Sequence, residues 1–196
     1  IFHNLKFSNL KSLKSNNLFL DGRGDLVFEK NELHSDFFWF FDSNFKPERI
    51  LYEYKNEGEK NLLSKNNFTP IKLLPNFRDL KTKIFSAKIG KLKRKVYETK
   101  LLKKFTNLYK SSFLFYSSVF KKLNVKIYFS WMKYTADHIA LSAAVRKNGG
   151  ISVNWQMAFD GYKNFENRAF FDVIFSFSQF SANLDKKIDS SFTYNI

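Results

Sequence analysis

The chain of 196 residues contains no cysteine, so it can hold no disulfide, no thiolate metal centre and no cysteine nucleophile. Histidine occurs only at His3, His34 and His138. These are far apart, so no metal is expected, and no cofactor either. The sequence also lacks the glycine patterns of dinucleotide-binding and phosphate-binding loops, G-x-G-x-x-G and G-x-x-x-x-G-K-[ST]. No G-x-S-x-G elbow suggests a hydrolase. Long apolar runs are missing: Ser111 to Phe120, and Ala169 to Ala182 with Asp172 inside it, are too short to span a bilayer. Ile1 to Leu20 has no continuous apolar core of the kind a secretion signal needs. With Ile at the start and a strand-like pattern running into Ile196, the expectation is a fragment cut at both ends, located in the cytoplasm.

Acids are the scarce charge. Asp and Glu number 18 against 33 Lys and Arg, a formal net charge of +15 that favours polyanions, anionic lipid or phosphorylated substrates by long-range attraction. The hydrophobic fraction of 44%, with 19% aromatic, excludes a disordered chain, and 25 Phe against 2 Met implies a core filled with rings. The length suits one domain.

Residues 1–35 read as a loop-rich segment with one short β-run, Leu26-Val27-Phe28, after the turn Asp21-Gly22-Arg23-Gly24. Arg23-Gly24-Asp25 spells an adhesion tripeptide, for which a glycine turn with charged flanks is a sufficient account. From residue 36 to residue 196 the pattern is that of one α/β domain. Ile50 to Tyr54 alternates as a strand, Glu57 to Ser64 suits a short helix and Pro70 to Leu74 the next strand, a minimal βαβ unit. A second run follows at the other end: strand Val125 to Trp131, helix from Thr135 to Gly149-Gly150, strand Ile151 to Ala158, strand Phe171 to Phe177. Together they predict a doubly wound α/β fold with a mostly parallel sheet and helices on both faces.

Between these units lies a basic helical insert, 81–122, in which Glu98 is the lone acid from Lys81 to Lys104. Apolar residues at Ile89, Leu92 and Val96, then Leu101, Phe105 and Leu108, keep a helical spacing with a break near Lys100. One or two amphipathic helices result, with Lys91, Lys93, Arg94, Lys95, Lys103 and Lys104 as candidate contacts to an anionic membrane or polyanion. A solvated cationic face is the plain alternative.

Ligands of such sheets bind outside the carboxyl ends of the strands, which directs attention to Tyr134–His138, Gln156–Tyr162 and Ser176–Ser181. His138 falls on the first turn of its helix, where the positive end of the helix dipole favours the neutral imidazole of a catalytic base. It could equally satisfy the cap, with Thr135 as N-cap and Ile139, Ala140, Ala143 and Val145 as the buried stripe. Asn154-Trp155-Gln156 puts an amide pair around a ring, a set that suits sugar binding, and Ser176 and Ser178 offer hydroxyls to a ligand or to the next helix.

The run His138-Ile139-Ala140 to Gly149-Gly150-Ile151-Ser152-Val153-Asn154-Trp155-Gln156, then Phe171-Asp172-Val173-Ile174-Phe175-Ser176-Phe177-Ser178 and Phe192-Thr193-Tyr194-Asn195-Ile196, resembles bacterial surface-carbohydrate biosynthesis proteins of the GT-B glycosyltransferase type. Asp36-Phe37-Phe38-Trp39 and Pro47-Glu48-Arg49-Ile50-Leu51-Tyr52 look like the early strand region of the same proteins. The resemblance implies two Rossmann-like domains across a cleft, of which this chain is the first. That domain takes a glycan or lipid-linked acceptor, while the nucleotide-sugar donor is bound mainly by a second domain, and the fragment alone is inactive. The D-x-D metal signature of the other major glycosyltransferase fold is missing. His138, Gln156 and Ser178 would line the cleft, but no defined catalytic-base motif can be matched. Competing readings are a basic nucleic-acid-binding protein, for which no reading module is visible, and a glycerophosphate-type transferase of cell-wall polymer synthesis.

Overall fold

A computed structural model describes residues 17–20, 27–29, 32–34, 46–54, 56–72, 96–131, 136–156 and 168–196. Along the chain lie β1 (Asn17–Leu20), β2 (Val27–Glu29), β3 (Glu32–His34), β4 (Ile50–Glu53), α1 (Glu57–Lys65), β5 (Thr69–Ile71), α2 (Val96–Lys122), β6 (Val125–Ser130), α3 (Ala136–Lys147), β7 (Ile151–Trp155), β8 (Val173–Phe175), α4 (Gln179–Lys187) and β9 (Tyr194–Asn195). Seven strands form one sheet in the order β5-β4-β1-β6-β7-β8-β9. Every neighbouring pair in it is parallel. β2 and β3 pair separately as an antiparallel hairpin. The chain is thus an α/β protein, and the five strands expected from the alternating runs all lie in one parallel sheet.

Strand alternation divides the core in two. Leu51, Val125, Tyr128 and Ile174 face Phe115, Val119 and Phe120 of α2 and Leu141, Ala144 and Val145 of α3. Ile50, Tyr52, Leu18, Phe129 and Val153 point the other way, with Leu63 of α1. Helices therefore cover both faces, which is why the central strands are apolar at consecutive positions. Rings dominate the α2–α3 side: Phe120 lies 6.4 Å from Tyr128, which stacks on Phe171 at 6.1 Å.

Local chemistry sets the helix ends. Asn56 caps α1 through a bond donated by the Glu59 amide at 2.9 Å. α3 ends on Gly149 in the left-handed region, φ +68, and the Gly150 amide donates back to the Val145 carbonyl at 3.0 Å. Asp172 then ties three elements together, accepting from Arg146 Nε at 2.7 Å and from the amide and hydroxyl of Ser152 at 2.7 and 2.8 Å.

Three expectations need correction. The boundary at residue 35 fails, because β1 lies in the middle of the sheet, paired with β4 on one side and β6 on the other. Its four residues, Asn-Leu-Phe-Leu, are too few for a period of two to stand out between Asn16 and Asp21. α2 runs unbroken through Lys100 and is the crossover from β5 to β6, not an insert. The stripe that α3 buries is His138, Ala140, Leu141, Ala144 and Val145, while Ile139 and Ala143 are only half-buried, because the helix is held between α2 and the sheet and so buries more than one face.

Candidate functional site: the carboxyl edge of the sheet

The strand order locates the crevice. From β1 the chain builds outward through β4 to β5, then returns to β6 and builds the other way, so the order reverses between β1 and β6. Loops diverge at such a point and leave room for a ligand above the carboxyl ends, here Leu20 and Ser130. The segments that leave these ends, 21–26 and 132–135, lie outside the described residues, as do Thr135, 157–167 and the lysine cluster with Lys91, Lys93, Arg94 and Lys95.

At this edge the last residues of β6, β7 and β8 bring polar groups into buried positions. Ser130 is fully buried and its carbonyl accepts from Asn154 Nδ2 at 2.9 Å. Asn154 itself is 1% exposed, and its Oδ1 has no partner among the described residues. The same holds for Trp131 Nε1, just past β6, and for Ser176 Oγ, just past β8. A buried polar atom left unpaired costs about 1–3 kcal/mol, so atoms of this kind mark places where a hydrogen-bonding group is wanted. Ser130 and Trp131 were not singled out by motif; their only signal was their place at the end of an apolar run.

The expected site residues fare differently. Gln156 is buried, and its Oε1 accepts from the Phe177 amide at 3.1 Å, a bond that holds the exit of β8. Trp155 lies on the opposite face from Asn154 and Gln156, because successive side chains of a strand alternate. It packs 5.5 Å from Phe175 and lines an apolar groove of about 330 Å³ with Leu18, Ile127, Phe129, Ile151 and Val153. The amide pair and the ring therefore do not clasp one sugar. Ser178 is the N-cap of α4, its hydroxyl accepting from the Ser181 amide at 3.3 Å.

His138 does sit on the first turn of α3, but its side chain is 3% exposed and its ring stacks on Phe171 at 5.3 Å and 9°. Phe170 stands 6.2 Å away. In this geometry the imidazole is an element of the aromatic core under the edge, not a group presented at its surface. Lys103 and Lys104 are exposed on α2. No cluster of three or more His, Cys, Asp or Glu able to hold a metal occurs among the described residues, and no described helix is long and apolar enough to cross a membrane.

No family model, curated protein or solved structure matches this chain. The edge can therefore be read only through its own chemistry. Asn154 Oδ1 accepts and Ser176 Oγ both donates and accepts, a pair suited to hydroxyls and amides rather than to a bare phosphate, while Trp131 packs on the Trp155 side of the sheet.

Proposed function

We propose that the chain is the acceptor-side domain of a glycosyltransferase of the GT-B type acting in surface polysaccharide synthesis. In this reading a nucleotide-sugar donor is held mainly by a second domain, and the carboxyl edge of the sheet receives the hydroxylated acceptor. The observation that carries it is the pair of buried polar atoms Asn154 Oδ1 and Ser176 Oγ, left unpaired among the described residues at the ends of β7 and β8, on the carboxyl edge of the sheet whose strand order reverses between β1 and β6. A neutral donor and acceptor set of this kind selects hydroxyls by direct hydrogen bonds, and a missing partner costs it affinity.

The test is a titration of the chain with neutral oligosaccharides and, separately, with nucleotide-sugars, followed by NMR of the Asn side-chain resonances. Oligosaccharides are expected to shift Asn154, and Asn154→Leu to weaken their binding roughly tenfold, about one lost hydrogen bond. Nucleotide-sugars that shift these resonances while oligosaccharides do not would refute the acceptor-side assignment.

A further inference from the structure

The outer half of α2 leaves the core. Beyond Ser112, Phe115, Val119 and Phe120, which are buried, no residue from 98 to 110 is buried. That is about 20 Å of helix at the usual rise of 1.5 Å per residue. This exposed stretch is nevertheless not polar all round. Leu101, Phe105 and Leu108 are 41%, 54% and 43% exposed and recur at i, i+4 and i+7, so they form one stripe along it. Lys100 and Lys104, both exposed, precede Leu101 and Phe105 by one residue each and therefore border the stripe on one side, with exposed Lys103 further round.

We propose that this half of α2 docks on an anionic phospholipid surface, with Leu101, Phe105 and Leu108 inserted at the headgroup boundary and Lys100 and Lys104 on lipid phosphates. Charge complementarity selects this occupant. A second copy of the chain would bring another net charge of +15 against the first, which repulsion opposes. A nucleic acid would meet the lysines and leave Phe105 and the two leucines in water. Only an anionic bilayer supplies phosphate for the cations and acyl boundary for the stripe at one surface. Exposed apolar residues in a row are otherwise a liability for a protein that stays in solution. The proposal does not rest on the glycosyltransferase reading, since it concerns a helix and not the carboxyl edge.

The experiment uses the whole chain and vesicles of phosphatidylcholine alone or mixed with phosphatidylglycerol in a roughly 7:3 ratio. Cosedimentation is expected to favour the anionic vesicles by at least roughly tenfold, and Phe105→Ser with Leu108→Ser to remove most of that preference, while Lys100→Glu with Lys104→Glu abolishes it. Because all four positions are exposed, unchanged melting temperatures check that the variants fold. A Phe105→Trp variant gives a direct readout: its added fluorescence should shift to the blue on anionic vesicles and be quenched by brominated acyl chains. No shift and no quenching overturns the proposal, as does a serine variant that binds as the parent does. Equal binding to neutral and anionic vesicles, tighter binding to RNA than to vesicles, or a serine variant that changes only self-association would also overturn it.

Discussion

Gly149 and Gly150 stand side by side for different reasons, and the two can be separated by experiment. At Gly149 the constraint is the backbone: φ is +68, while an added Cβ would find only Lys126 Nζ, at 3.7 Å. Gly149→Ala is expected to cost about 1–2 kcal/mol. At Gly150 the constraint is space, since a Cβ would sit 2.4 Å from the Lys126 carbonyl oxygen and 2.8 Å from Val145 Cγ2. Backbone cannot yield as a side chain can, so Gly150→Ala should destabilise more than Gly149→Ala in urea unfolding. Asp172 makes a third residue-scale prediction. Asp172→Ala leaves Arg146 and the buried Ser152 amide without their acceptor, a loss of about 2–3 kcal/mol, whereas Arg146→Ala removes only the 40%-exposed partner and should cost under about 1 kcal/mol. At His138 the stacking on Phe171 predicts that His138→Phe keeps the fold and, on the proposed transferase reading, the turnover. A fall in turnover of roughly 100-fold with the fold intact would restore it as a base.

Among the elements, α2 and α4 show what spacing reveals and what it hides. The periodicity of α2 was readable from Leu101 to Leu108, and Ser178 before α4 was readable as a cap, which the Ser181 amide bond bears out. Ser178→Ala should accordingly lower stability by about 1 kcal/mol and leave oligosaccharide binding unchanged. What could not be read was which stripe meets a partner. The apolar positions of both halves of α2 look alike in sequence, yet Phe120 is fully buried and Phe105 is 54% exposed. Phe120→Ala is expected to cost about 3–5 kcal/mol and Phe105→Ala under about 0.5 kcal/mol, compared by thermal unfolding. Trp155 hid in the same way: its neighbours suggested a sugar clasp, and only the pleat shows that its ring faces away from both amides.

On the scale of the whole molecule, the strands with longer apolar runs, β4, β6 and β7, were legible, and β1, an interior strand of the sheet, was not. β1 has only four residues and is held by pairing with a neighbour on each side. A chain beginning at residue 36 keeps the five strands of the large sheet that the sequence announced but loses β1, which joins the two halves of that sheet. It is expected to lack cooperative unfolding and dispersed amide resonances, which circular dichroism and NMR would register; a well-folded product would remove β1 from the centre of the sheet.

Because β1 precedes β4 to β9 in the chain and β6 pairs with it only after Ser130, synthesis imposes a delay. At about 5–20 residues per second the ribosome needs roughly 5–20 s to deliver the second neighbour. During that interval β1 can pair with β4, and β4 with β5, leaving Leu18 and its neighbours as an apolar parallel edge with no strand to close it. Newly made chains halted before residue 125 should therefore be held by chaperones or aggregate, and release from them should follow the emergence of β6 rather than the end of translation.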